Sequence, residues 1–233
     1  MGKSFVRVPN DWFQEKDNNR TFASKLGVNG FTMWFAISKH SSENGMAKVV
    51  PLQISETVHE MKRLKGFSKS NYIRTILLNL KRLELIECDY LTDKTKPKDL
   101  LRIKLKELDY TNGFSAISTE LYNDKIEKIQ AHGLIILCLL FKNHNIDFGC
   151  KMSGFGHAEM TRESISRFTG IKSVKTITHT IESLKKAKGL VKVEQHKILS
   201  QDNEMKYLPN CYHVYPKFDV ENKYYIDFKS SQP

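Results

Sequence analysis

Apolar residues recur at i, i+4 and i+7 twice in this chain, at the same distances from a glycine. After Gly66 they fall on Ile73, Leu77 and Leu80; after Gly170 they fall on Ile177, Ile181 and Leu184. That spacing lines one stripe of an α-helix, so each set predicts a helix with a single buried face. An earlier pair of apolar stretches shows the same kinship. Gly30 precedes residues 31–38 and Gly133 precedes residues 134–141, and a lysine, Lys39 or Lys142, stands nine positions after each glycine. Each periodic helix then runs into Lys81-Arg82 or Lys185-Lys186 and a β-rich tetrapeptide, Leu85-Ile86-Glu87-Cys88 or Leu190-Val191-Lys192-Val193. The same order twice over identifies an internal repeat.

Within each repeat the pattern predicts helix, helix, turn, helix and β-hairpin. In the second, Thr161 is placed to cap a helix carrying Ile165 and Phe168 that stops at Thr169-Gly170, where glycine supplies a left-handed turn. In the first, a helix is expected over 55–65 with Val58, Met61 and Leu64 inward, ending at Gly66. Two helices joined by a short glycine turn make a helix-turn-helix. Strands are expected at 85–90 and 100–105, separated by a charged, Pro97-containing loop, and at 190–196 and 212–215, separated by a polar loop over 200–210. The break Tyr110-Thr111-Asn112-Gly113 divides the chain into domains 1–110 and 111–233, with 5–13 and 114–122 as equivalent lead-ins. The second domain is expected to bury its own core, with Ile177, Ile181 and Leu184 against Ile165 and Phe168.

A helix-turn-helix followed by a β-hairpin resembles the winged-helix fold. The segment Met160-Thr161-Arg162-Glu163-Ser164-Ile165-Ser166-Arg167-Phe168-Thr169-Gly170, with Lys188-Gly189-Leu190-Val191 behind it, is similar to the pattern of bacterial winged helices. The first repeat departs from it, since Leu83-Glu84-Leu85-Ile86 has no glycine at the place of Gly189. The fold expected is α+β and helix-rich, with two tandem winged helix-turn-helix domains.

Composition narrows the function. The 233 residues carry 37 Lys and Arg against 26 Asp and Glu, a net +11, which favours a polyanionic partner if the excess lies on one face. Lysine supplies 29 of the 37, so part of the excess also reads as plain solubility. No apolar run approaches the ~20 residues of a membrane span, and no secretory segment follows Met1, so a cytoplasmic protein off the membrane is expected. Cys88, Cys138, Cys150 and Cys211 are far apart, without metal-ligand or disulfide spacing. His157-Ala158-Glu159-Met160 lacks the second histidine of a zinc-protease motif, and no phosphate-binding or nucleophile-elbow fingerprint occurs. Neither catalysis nor a metal or other cofactor is expected.

The charge is concentrated where the fold would use it. From Lys62 to Arg82 there are seven basic residues and no acid, and from Arg167 to Lys188 six against Glu182 alone. The bland reading is a solvated helix face; the helix-turn-helix pattern favours nucleic acid in the major groove. The residues expected to touch DNA are Lys69, Asn71, Tyr72, Arg74, Thr75 and Arg82, the hairpin lysines Lys94, Lys96 and Lys98, and Lys172, Ser173, Lys175, Thr176, Thr178, His179 and Lys186. Asn71 and Arg74 suit bidentate base contacts, so the first repeat is expected to be the better sequence reader.

Tandem winged helices in a chain of this size resemble replication initiators of plasmids and phages. The lead-in Phe114-Ser115-Ala116-Ile117-Ser118-Thr119-Glu120-Leu121-Tyr122, the apolar helix after Gly133 and the motif from Thr161 to Val191 are similar to the initiators of plasmids from Gram-positive bacteria. The resemblance implies double-stranded DNA as partner, at origin repeats, with a homodimer and replisome proteins as further partners. A transcriptional repressor of the same fold, and a module binding replisome or segregation proteins, are the alternatives.

Overall fold

The computed structural model describes residues 5–16, 20–40, 49–53, 64, 70–96, 98–146, 158–187, 190–195, 197–199, 205–207, 209–214, 217–218 and 225–226. These form an α+β chain of five α-helices and small antiparallel sheets. In the first repeat β1 (Phe5–Pro9) leads through a 3-10 turn at Asn10–Phe13 and the ribbon of β2 (Glu15–Lys16) with β3 (Arg20–Thr21) into α1 (Phe22–Ser38). Thr21 starts α1 by accepting the Ser24 amide at 3.0 Å. Then follow β4 (Val49–Gln53), α2 (Ser70–Arg82), β5 (Ile86–Glu87) and β6 (Leu100–Leu105). The second repeat runs β7 (Phe114–Ser118), α3 (Thr119–Ile146), β8 (Ala158–Met160), α4 (Arg162–Thr169), α5 (Val174–Lys186), β9 (Val191–Glu194), β10 (Lys197–Leu199), β11 (Met205–Tyr207) and β12 (Asn210–Val214). A last ribbon pairs β13 (Lys217–Phe218) with β14 (Tyr225–Ile226).

The repeat is legible in the topology. One three-stranded sheet has the order β4-β6-β5 and the other β8-β12-β9, each with the strand that precedes the periodic helix on one edge. The long helices α1 and α3 are broken at matching places, Gly27 (φ 72, ψ 162) and Gln130 (φ 59, ψ −178). These lie 103 residues apart (130 − 27), as do Gly30 and Gly133 (133 − 30). The helices expected to begin at those glycines therefore begin at the breaks, one turn earlier, and each follows a shorter helix. Glycine adopts a positive φ without strain, whereas Gln130 holds a conformation that glycine nearly monopolises.

The two lead-ins pair with each other. β1 and β7 run antiparallel with Phe5 opposite Ser118, Val6 opposite Ile117, Arg7 opposite Ala116, Val8 opposite Ser115 and Pro9 opposite Phe114. Counting positions along each strand, first meets fifth, second meets fourth and third meets third. That is the self-complementary register of a two-fold interface. Phe35 stacks on Tyr122 at 5.1 Å across the same junction, and α1 packs on both α3 and α4. Gly170 comes so close to α1 that a Cβ there would stand 3.1 Å from Ser24 Cα. Buried residues from Val6 to Val214 form one continuous cluster, so the expected independent core of the second repeat is replaced by a core common to both.

Other expectations shift at their edges. The helix over 55–65 falls outside the described residues apart from Leu64, which is buried. The strand expected at 85–90 shrinks to Ile86–Glu87, because α2 ends in a left-handed Glu84 (φ 56) and a turn follows at Asp89-Tyr90. The polar stretch over 200–210 contributes β11, which closes an extra hairpin on β10.

Candidate nucleic-acid interface

The pair of helices α4 and α5 is built from local signals. Thr161 Oγ1 accepts the Ser164 amide at 3.1 Å, and α4 buries Ile165 and Thr169. Gly170 (φ 74) ends it, donating its amide to Ser166 O at 2.8 Å. Ser173 Oγ accepts the Thr176 amide at 3.2 Å and starts α5. The inward stripe of α5 is Ile177, Thr180, Ile181 and Leu184. Lys172, Ser173, Lys175, His179 and Lys186 are exposed, with Thr176 and Thr178 half-buried. Glu182, the acid on this helix, is taken up by Lys185 at 2.9 Å. Among the described residues no hydrogen bond or ion pair reaches Lys172, Lys175 or Lys186, all of which are exposed.

The matching helix of the first repeat is chemically different. Ile73, Leu77 and Leu80 are fully buried, as the periodicity requires. Its three basic residues are all engaged by the protein: Arg74 Nη1 donates to Thr95 O at 3.0 Å, Lys81 Nζ to Cys88 O at 2.6 Å and Arg82 Nη2 to Asn79 Oδ1 at 2.9 Å. Tyr72 is bonded to Asn29 through its hydroxyl. Thr75 and Arg82 are exposed on the wall of a groove of about 620 Å³, which Tyr72, Asn79, the α1 break and His132 also line. Burial holds the His132 imidazole below its usual range. Lys69 and the side chain of Asn71 lie outside the described residues.

The hairpin loop after β5 exposes Lys94, Lys96 and Lys98 around Thr95, which is buried and donates to Tyr90 O at 3.1 Å. Asp89, Asp93 and Asp99 are exposed beside them, three acids to three lysines, so this loop presents no net charge. Asp99 Oδ2 accepts the Lys96 amide at 2.7 Å. On β5, Glu87 is held below the ordinary carboxylate range by hydrogen bonds from Lys106 and Lys104, at and just past the end of β6.

The expected site residues thus form separate groups: the outward face of α5, the groove wall of α2 and the hairpin loop. Arg167, counted in the local basic excess, is spent on Glu15 at 2.9 Å and helps seat α4 on the first repeat. Sequence reasoning passed over Val174, which fits the inward spacing of Ile177, Ile181 and Leu184 but is 46% exposed. It stands at the first position of α5, beyond the edge of the core, and only the cap at Ser173 could have signalled that.

Cys88, Cys138 and Cys211 are buried, and burial pushes the Cys138 thiol far above its usual range. Among the described residues no cluster of His, Cys, Asp or Glu could hold a metal ion, and no helix is long and apolar enough to cross a membrane. No protein-family model and no curated protein matches this chain.

Proposed function

We propose that this chain is a sequence-specific double-stranded DNA-binding protein made of two winged helix-turn-helix units, acting as a replication initiator on origin repeats of a plasmid or phage. The observation that carries the reading is the exposed basic surface around α5, where Lys175 and Lys186 on the helix and Lys172 in the turn before it have no hydrogen bond or ion pair among the described residues, with α4 and α5 joined by a short turn at Gly170. A helix so placed offers lysines to phosphates while its first turn meets base edges. The strand order β8-β12-β9, with one strand before the helix-turn-helix and two after it, supports the winged arrangement.

On this reading base contacts fall to the second repeat rather than the first, and the bond made by Arg74 supports that assignment. Arg74 is committed to Thr95, and reaching a guanine would break that bond. For the first repeat, engaged cations and an open groove favour a second reading, contact with a protein partner.

Footprinting on the DNA flanking the gene tests the proposal. Protection of repeated sites, a steep fall of affinity with salt of about 0.9 log units per log salt for each phosphate contact, and replication of a plasmid bearing those sites are expected. Protection confined to a promoter, without replication, would make the protein a repressor. A flat salt response with no protected site would remove DNA from the account.

A further inference from the structure

The outward surface of α5 is not uniformly basic. With Val174 set at 0° and ~100° per residue, Thr178 falls at about 40°, Lys175 at about 100°, Lys186 at about 120° and His179 at about 140°. The buried residues Ile177, Thr180, Ile181 and Leu184 fall between about 240° and 340°. Val174 therefore lies on the rim between core and charged face, at the helix N-terminus, with exposed Lys172 and Lys175 on either side. Its neighbours are committed elsewhere: Ser173 caps the helix and the Thr176 carbonyl accepts Thr180 Oγ1 at 2.7 Å. A single exposed valine is ordinary on a protein surface. One on the first turn of this helix, flanked by exposed lysines with no partner among the described residues, is an apolar group held where, on the proposed function, base edges would arrive.

We infer that Val174 is a specificity-determining residue, packing its methyl groups on the C5-methyl of a thymine in the major groove. This deepens the proposed function and rests on it. The C5-methyl is the one apolar group that a base pair presents in the major groove, and it marks thymine alone. Lys172 and Lys175 would bind phosphates beside it without distinguishing sequences. Thr178, one turn on and half-buried, offers a second methyl on the same rim.

The test uses the full chain and the duplex found by footprinting. Each thymine of the site is replaced in turn by deoxyuridine, which deletes only the methyl. At one thymine, wild-type protein should lose roughly fourfold in affinity, the worth of one buried methyl group. Val174→Ala should lose a similar factor on the natural site, be indifferent to uridine at that position, and keep the wild-type salt slope. Val174→Ser should behave as Val174→Ala, and melting curves of both variants should match wild type, because the side chain is exposed. Specific binding by the wild type that tolerates uridine everywhere would overturn the inference and leave the DNA-binding reading standing. So would equal uridine sensitivity in Val174→Ala. A wild-type chain with no affinity for any duplex would overturn both.

Discussion

Gly170→Ala probes two features at one atom, the left-handed end of α4 and the seat of α4 on α1. At φ 74 and ψ 9 a Cβ-bearing residue pays about 1 kcal/mol relative to glycine, partly offset because alanine also restricts the unfolded chain. The larger cost is steric. The new Cβ would stand 3.1 Å from Ser24 Cα, 3.1 Å from Ser24 Cβ and 3.2 Å from Ser24 O, and the first and last are backbone atoms that cannot swing aside. Over-packing of this kind costs about 1–3 kcal/mol, so ~2–4 kcal/mol is expected in total. Urea unfolding is read by far-UV circular dichroism and by tryptophan fluorescence. Both tryptophans, Trp12 and Trp34, pack together in the first repeat at 4.5 Å, so their emission reports that half alone. Because the core is common, both signals should shift to lower urea together. Gly170→Asn separates the two causes: asparagine tolerates the left-handed region, so its residual loss measures the contact with Ser24. A Gly170→Ala chain as stable as wild type, or an asparagine variant that restores full stability, would refute the seating of α4 on α1.

Three further outcomes are expected. Glu84, left-handed at φ 56, closes α2 through Leu85 N–H to Leu80 O and Glu84 N–H to Lys81 O, both at 3.0 Å, so Glu84→Gly should raise stability by about 0.5–1 kcal/mol in a thermal melt. Leu184 is fully buried and faces Gly133, where a Cβ would lie 3.6 Å from its Cδ2; Leu184→Ala should cost ~2–5 kcal/mol in urea, and an unmoved midpoint would show the α5 register to be wrong. Glu87 titrates below its unfolded value because Lys106 and Lys104 bind the carboxylate, so its stabilising effect is present above the unfolded pKa and is lost as pH falls through the lowered folded value. An NMR pH titration should show Lys106→Ala returning Glu87 toward the ordinary carboxylate range.

What the sequence disclosed and what it hid divide by range. The α4–α5 unit could be read because its signals are local: Thr161 and Ser173 cap over three residues, Gly170 supplies the turn, and the stripe repeats every turn. The pairing of β1 with β7 could not, since it joins five-residue strands a hundred residues apart and each alone is only a short alternating run. The role of Arg74 was hidden for the same reason. Its periodic position gives the direction of the side chain, but not the carbonyl of Thr95 that waits there, and that carbonyl turns a candidate base reader into a strut between helix and hairpin. The break at Gln130 carried no residue-type signal, because glutamine is not the residue expected at a positive φ; only the alignment of the repeats at Gly27 points to it.

The self-complementary register of β1 and β7 gives the divergence of the repeats a physical reason. In a dimer of identical units, the residue at the centre of such a ladder faces its own copy, and an arginine there would set two like charges directly opposite each other, which is destabilising. Here Arg7 faces Ala116, and its guanidinium lies 4.7 Å from the centre of the Phe114 ring and 5.3 Å from that of Phe5. Joining the two units in one chain removes the requirement that every interface residue tolerate itself. One strand can then supply the cation and the other the small residue and the aromatic face. The same freedom extends to the periodic helices. With the fold secured by a common core, α2 could commit Arg74, Lys81 and Arg82 to acceptors within the chain while α5 and the turn before it kept Lys172, Lys175 and Lys186 exposed. The asymmetry between them is what a single covalent chain permits and a symmetric dimer forbids.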